Sequence, residues 1–469
     1  MKYIYQYIAV LAIILVTGCD KFLDVEPKGK QLLQTVKDYD LWLNSQTLTY
    51  ETHVYTLYRF SDLYDIHPYN LNSITVTDLQ YRWALQFEDP TLTPSIWSNF
   101  YNIIYYYNAV INGIDNAQGG SAQEKQKLKA EALLGRAHEY FYLVNLYGKI
   151  YNPSTADQDL SVPFVSSSDI VTITPPRSTV KQAYENIIAD LNMALASLPA
   201  DNATNRFRGS VAAANSMLAR VYFYMRDYAN ARKYAELSLQ APSLMMLDYN
   251  AGVITSTGFP NWPALVTRKD VIYARGAGAM SNVATVPVTL SFAQSFAAGD
   301  LRSYFIKDIN KSTLSANPKR GTINYCYAYL ASTTSPNMAG NANIGTSVAE
   351  MKLIIAEGAV RSGDLTTALQ QLDDVRKNRF SPTGYAAFQS GDQAAILQKI
   401  TDERLFELPF GGVRWLDMRR LSSEGKMPAV NRYDANGNVF ETLQPNDPRY
   451  VLKIPLNILG YNPDMPQNQ

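Results

Sequence analysis

Apolar and small residues recur at helical spacing between positions 128 and 146: Ala132, Leu133, Ala137, Tyr140, Phe141 and Val144. Steps of three and four predict a well-buried helix, and Gly148 just behind it is the residue type that caps helix C-termini. The pattern breaks over a loop running from Val162-Pro163-Phe164 to Pro175-Pro176. Ser178 or Thr179 can cap the next helix. That helix carries an apolar stripe of Tyr184, Ile187, Ile188, Leu191, Ala194 and Leu198, stopped by Pro199.

Two later segments share one pattern. In the first, Leu218, Ala219 and Tyr222 lie on one helix, a turn falls near Arg226-Asp227-Tyr228, and Ala231 lies on a second. Small residues facing one another let antiparallel helices approach closely, as in tetratricopeptide hairpins. In the second, Ala356 precedes Gly363-Asp364, and Ala368, Leu372 and Val375 continue the apolar face at matched spacing. More than a hundred residues separate the copies, which excludes a simple tandem solenoid.

Periodicity fades in two other stretches. Residues 241–346 are rich in Ser, Thr, Asn, Gly and Pro, with Phe259, Trp262, Tyr273, Phe292, Phe296, Tyr304, Tyr325 and Tyr327 among them. Residues 60–94 contain Asp62, Tyr64, His67, Tyr69 and Trp83. Long excursions in a compact protein are usually functional or disordered, and the spaced aromatics argue against disorder. The expected fold is mainly α, a tetratricopeptide-like helical hairpin scaffold over about 127–240 and 347–420 with a loop-rich, irregular second half. Ligand-facing excursions are expected at about 60–94 and 241–346.

The chain's start changes the picture. A short basic opening and an apolar run at 8–16 lead to Val16-Thr17-Gly18-Cys19. The run is shorter than the roughly 20 residues a bilayer span needs, so 1–18 reads as a secretory signal. Cys19 stands where a bacterial lipoprotein is cut and acylated, and each buried methylene of its chains would add about 0.8 kcal/mol of membrane binding. Cys326 is the other cysteine of the 469 residues, so the body, 19–469, rests on packing rather than on a disulfide. Balanced charge, 42 basic against 42 acidic residues, favours neither nucleic acid nor a charged membrane surface.

Tyrosine outnumbers phenylalanine 33 to 17. Its ring can stack on sugars and its hydroxyl suits wet interfaces. Most of these rings, including Tyr105, Tyr106, Tyr107, Tyr140, Tyr142 and Tyr147, are expected between helices with hydroxyls at the rim. Catalytic signatures are thin. His53, His67 and His138 form no metal-ligand spacing, and His138 reads as a packed helix residue. Gly276-Ala277-Gly278 lacks the third glycine of a dinucleotide loop. Asp373-Asp374 reads as a solvated face. Neither enzyme, cofactor nor metal is expected.

The densest signal is Thr401-Asp402-Glu403-Arg404-Leu405-Phe406-Glu407-Leu408, then Pro409-Phe410-Gly411-Gly412, then Val413-Arg414-Trp415-Leu416-Asp417-Met418-Arg419-Arg420. Glu and Arg at i,i+3 or i,i+4 could pair along the first helix, and Arg419 and Arg420 stand available for carboxylates. This "ERxxEL…G.RWxDxRR" pattern resembles the SusD/RagB-like lipoproteins of the Bacteroidetes outer membrane. So do residues 19–27, the helix of Trp97, Tyr101, Ile104 and Asn108, the Ala130-Glu131-Ala132 to Phe141 helix, residues 349–379, and the close at Lys453-Ile454-Pro455. Two departures are Gly135, where a leucine is usual, and Pro409-Phe410-Gly411-Gly412.

The resemblance implies a non-catalytic, surface-facing lipoprotein of the cell outer membrane. Such a protein captures oligosaccharides and delivers them to a SusC-like TonB-dependent transporter, its partner. A peptide-capturing lid is the alternative, and a purely structural role in the transporter complex the third reading. Binding residues are not carried by the family's motifs. The candidates are Asp62, Tyr64, Tyr69, Trp83, Trp262 and Tyr304, aromatic or carboxylate residues of the excursions. Trp97 and Trp415 are assigned to structure.

Overall fold

The computed structural model describes residues 33–65, 74–169, 174–251, 263–277, 285–305, 322–326, 343–434 and 436–468. Among them the fold is mainly α. The helices of eight residues or more are α1 (Val36–Leu43), α2 (Ser95–Gly113), α3 (Ala122–Tyr147), α4 (Val180–Leu195), α5 (Val211–Tyr224), α6 (Tyr228–Ser238), α7 (Val348–Arg361), α8 (Leu365–Arg376), α9 (Gln393–Glu407) and α10 (Arg414–Ser423). Four two-stranded antiparallel ribbons join them: β1 (Leu160–Pro163) with β2 (Arg177–Thr179), β3 (Val271–Tyr273) with β6 (Thr346–Ser347), β4 (Thr285–Thr289) with β5 (Thr322–Cys326), and β7 (Val430–Tyr433) with β8 (Val439–Leu443).

Local chemistry accounts for the helix ends. Ser121 and Glu124 form a capping box at the start of α3, and Thr179 and Gln182 another at α4. Gly148 does follow α3, but at φ −97° and ψ 158°, an extended conformation open to any residue. What requires glycine there is space: a Cβ would lie 2.7 Å from the Val144 carbonyl oxygen. Gly135 has a similar reason. A Cβ on it would meet the buried Tyr107 ring at 2.1 Å, so the departure from leucine admits an α2 tyrosine against α3.

Helix α3 is the axis of the core. Every residue from 130 to 148 is buried, as expected of a helix surrounded by others. Helices α2 and α4 pack against it, α5 on α4, α6 on α5, and the second hairpin follows with α7 on α6 and α8 on α7. The two copies of the hairpin are therefore neighbours despite their separation in sequence. Buried ions weld them. Arg220 of α5 meets Glu350 of α7 at 2.9 and 2.6 Å, and Arg420 of α10 meets Glu357 of α7 at 2.6 Å.

The tyrosines are more deeply used than their composition predicts. Tyr140, Tyr142, Tyr147 and Tyr107 are fully buried rather than at a rim, whereas Tyr105 is exposed. Several hydroxyls staple loops to helices: Tyr101 donates to the Pro163 carbonyl at 2.8 Å, and Tyr140 both donates to Val165 O and accepts from Val165 N. The α9 charges also pair differently from the helical expectation. Glu403 and Glu407 reach Arg302 and Glu407 reaches Arg379, while Arg404 reaches Asp417 of α10 at 2.8 Å. These are tertiary ties between distant segments.

Candidate functional site

The two loop-rich excursions meet. Thr289 N–H donates to Leu63 O at 3.0 Å, and Tyr64 pairs across an antiparallel bridge with Val288 of β4. Nearby, Glu51 N–H donates to Gly276 O and Gly276 N–H to Thr49 O, both at 2.8 Å. Backbone bonds between strand-like segments fix relative position without fixing side chains. A variable binding surface can therefore be carried on this seam.

The candidate residues separate sharply here. Trp83 is in the core: its indole N–H donates to Phe60 O at 2.8 Å, and the Arg432 guanidinium sits 4.1 Å from its ring centroid. Its backbone is left-handed at φ +52°, a conformation that turns the chain inward from the helix Val76–Tyr81. Tyr64 is also buried, edge-on to Tyr58 and Tyr81, and burial pushes its hydroxyl far above the ordinary tyrosine range. Neither ring offers a face to a ligand in this structure. Asp62 is held by Arg414 in a two-pronged ion pair at 2.8 and 2.5 Å, which occupies its carboxylate. Tyr69, Trp262 and Cys19 lie outside the described residues.

Tyr304 differs from these. It is 39% exposed on the short 3-10 turn Leu301–Phe305. The turn is pinned from below: Arg302 binds Asp300 at 2.7 Å and Glu403 at 2.7 Å, and Leu301 N–H donates to Arg379 O at 2.8 Å. Arg302 also lies over the Phe406 ring, which contacts Phe292 and Phe296. The anchoring residues are buried and the tyrosine stays at the surface. Rigid support under an exposed ring is the arrangement stacking on a sugar requires.

A second surface escaped the sequence reading. Tyr101, Tyr105, Asn108, Phe164, Ser167 and Asp169 line a cavity of about 350 Å³ between α2 and the loop after β1. The tyrosines of α2 read as helix packing, and Tyr105 breaks that pattern by pointing outward. No signal in the local sequence separates it from Tyr106 and Tyr107, because facing depends on what packs beside the helix.

One buried ionisable cluster also calls for a physical account. Glu51, His138 and Glu139 bring donor atoms within 4.8 Å of one another, with His53 alongside. Burial raises Glu51 well above the carboxylate range, reinforced by Glu139, and raises Glu139 to about 8 against the pull of Arg275. Burial lowers His53 to about 4 despite Glu51, and lowers His138, which Arg275 lowers further. Each shift moves its group toward the uncharged form. Arg275 Nε already stands 3.1 Å from Glu51 Oε1 and supplies a fixed positive charge. The cluster thus fits proton retention around Arg275 better than a cation site. Asp374, expected as a solvated face, pairs with Lys352 at 3.0 Å.

Among the described residues, no helix is long and apolar enough to cross a membrane. A family model described as starch-binding, associating with the outer membrane, matches residues 21–223, and the SusD family model matches 302–469. A SusD-like protein of Bacteroides ovatus is 25% identical over 54% of this chain. That match spans 45% of the relative's own length. SusD-like protein P2 of Formosa agariphila is 26% identical over 77% of this chain and 82% of its own. A crystal structure of a SusD superfamily protein from Bacteroides thetaiotaomicron superposes with a TM-score of 0.73 at 21% identity, covering 93% of this chain and all of that one.

Proposed function

Because the chain belongs to the SusD/RagB family, we propose that it is a carbohydrate-binding protein that captures oligosaccharides at the outer membrane. It binds rather than cleaves them and passes them to a SusC-like TonB-dependent transporter. Acylation at Cys19 anchors it, facing the exterior. The ligand face lies on the two excursions, with Tyr304 as a stacking platform and Trp262, outside the described residues, as a second candidate. The observation that carries this reading is the exposed Tyr304 ring on a turn pinned by Asp300, Glu403 and Arg379. The starch-binding description of the family model and the SusD-like name of the Formosa agariphila relative support it.

Native affinity electrophoresis tests the proposal, using the chain from residue 20 onward in gels containing a panel of polysaccharides. Retardation in one gel is expected, and Tyr304→Ala should weaken it about 3- to 10-fold, the loss of one stacked ring worth about 0.5–1.5 kcal/mol. Unchanged retardation in both Tyr304→Ala and Trp262→Ala would remove this face. Binding of proteolytic digests instead of glycans would move the ligand class to peptides, and release of product from a bound polymer would make the protein an enzyme.

A further inference from the structure

Most buried arginines among the described residues are matched to carboxylates. Arg220, Arg302, Arg379, Arg404, Arg414 and Arg420 each have one or more. Arg177 and Arg432, which are not so matched, each spend their donors on four carbonyl or amide oxygens. Arg419, next to Arg420 on α10, does neither. It is 5% exposed, and its one hydrogen bond among the described residues runs from Nη2–H to the Gly148 carbonyl at 2.7 Å. A guanidinium carries five donors, so most of its capacity is unspent. Desolvation depresses its pKa to about 10, with Tyr184 and Tyr450 opposing the fall.

Arg226, half-buried at the α5–α6 turn, also has no carboxylate partner among the described residues. Its guanidinium donates to Tyr151 O at 2.7 Å and to Ser423 Oγ at 3.3 Å, a carbonyl and a hydroxyl rather than a carboxylate. Its backbone is left-handed at φ +63°, a position that costs a non-glycine residue on the order of 1 kcal/mol or more. Ser423, which Arg226 reaches, lines the same cavity as Arg419.

Arg419, Ser423 and Lys149 line one cavity of about 330 Å³ together with Ile150, Pro448 and Tyr450. That volume is within the usual size of small-molecule pockets, about 300–1,000 Å³. Asp447 also lines it, but its carboxylate is occupied by Arg449 at 2.9 and 2.8 Å. Lys149 is tied to Asp159 at 2.7 Å. The Arg419 guanidinium therefore leaves the cavity positive, and one wall is apolar. A buried charge without a counter-charge is costly unless something supplies one.

We propose that this cavity binds the carboxylate of a small organic ligand, either an acidic sugar or the C-terminal end of a short peptide. The guanidinium fork of Arg419 takes the carboxylate in the two-pronged geometry that distinguishes arginine from lysine. Ile150, Pro448 and the Tyr450 ring accommodate the carbon skeleton. The site is built from α10, Lys149 and Ile150 behind α3, and residues 446–451, and does not involve Tyr304. Failure of either proposal leaves the other standing.

Calorimetric titration of the full chain at low salt, with sodium glucuronate and with N-acetyl-diglycine, tests it. Glucose and N-acetyl-diglycine amide are the neutral counterparts. Saturable binding is expected for at least one carboxylate and not for its counterpart. Glucuronate alone would assign an acidic sugar, and the dipeptide alone a peptide terminus. Arg419→Gln should weaken binding about tenfold or more, as loss of a charge-assisted hydrogen bond pair does. Asn446→Asp places a carboxylate at the exposed rim, at φ +59°, where aspartate is tolerated, and should weaken binding with the fold intact. Equal binding of the neutral compounds, no binding of either carboxylate, binding of sulfate instead, or unchanged affinity in Asn446→Asp would each overturn the proposal.

Discussion

The two helical hairpins make the same turn with different residues. Asp227 at φ −86°, ψ 78° and Asp364 at φ −83°, ψ 74° cap α6 and α8 identically, accepting from the Asn230 and Thr367 amides at 3.1 Å. The preceding residue is left-handed in both, Arg226 at φ +63° and Gly363 at φ +85°. Gly363 is the unstrained solution, with open space around the site of its missing Cβ. Arg226 is the strained one. Its side chain reaches Tyr151 and Ser423, and Ser423 lines the cavity that Arg419 enters. Where a repeated turn departs from its cheapest residue, the departure marks a place where the side chain is needed.

The strongest way to break the pairing of the hairpins is at their shared ion pair. Glu350→Gln leaves Arg220 buried without its counter-charge, and a loss of about 3–5 kcal/mol is expected in denaturant unfolding. Glu424 comes next, because it bridges the hairpins by accepting from Tyr228 of α6 and pairing with Arg361 of α7. Burial raises its pKa, but Arg420, Tyr228 and Arg361 outweigh this and bring it to about 2. A depressed carboxylate contributes stability that is complete above its unfolded pKa near 4.5 and lost as pH falls through about 2. Glu424→Gln should therefore flatten the acid limb of the unfolding free energy plotted against pH, measured by denaturant titration, by about 1–2 kcal/mol after allowance for solvent screening. The smallest effect sharpens the comparison. Alanine at either left-handed position should be about 1 kcal/mol less stable than glycine, so Gly363→Ala falls below the native protein and Arg226→Ala below Arg226→Gly.

Much of the scaffold is legible along the chain because it is local. The stripe of Tyr184, Ile187 and Leu191, the Thr179 cap, and the alanine pairs flanking each Asp-capped turn need only helical periodicity to be seen. The excursions were also identifiable, from fading periodicity and spaced aromatics. Which aromatic faces outward was not. Trp83 and Tyr64 share the composition of a ligand loop with Tyr304, yet a left-handed backbone and the bond to Phe60 take Trp83 inward. Asp62 is lost to Arg414, which lies 352 residues away. The α9 charges show the same limit, since their partners are Arg302, Arg379 and Asp417 rather than each other.

By itself, then, the sequence determined the helical class, the duplicated hairpin, the family motifs and the segments in which a ligand surface could lie. All of these are written in spacing or residue type over a few turns of chain. Only the tertiary structure decided that the excursions are stitched at Thr289 and Leu63, that Tyr304 stays exposed, and that Arg419 faces a cavity while Arg420 beside it is neutralised by Glu357. Adjacent arginines on one helix point in different directions, and whether each charge is neutralised depends on which distant carboxylate arrives. That information resides in packing between segments, where exposure and pairing are properties of the assembled fold rather than of any residue in it.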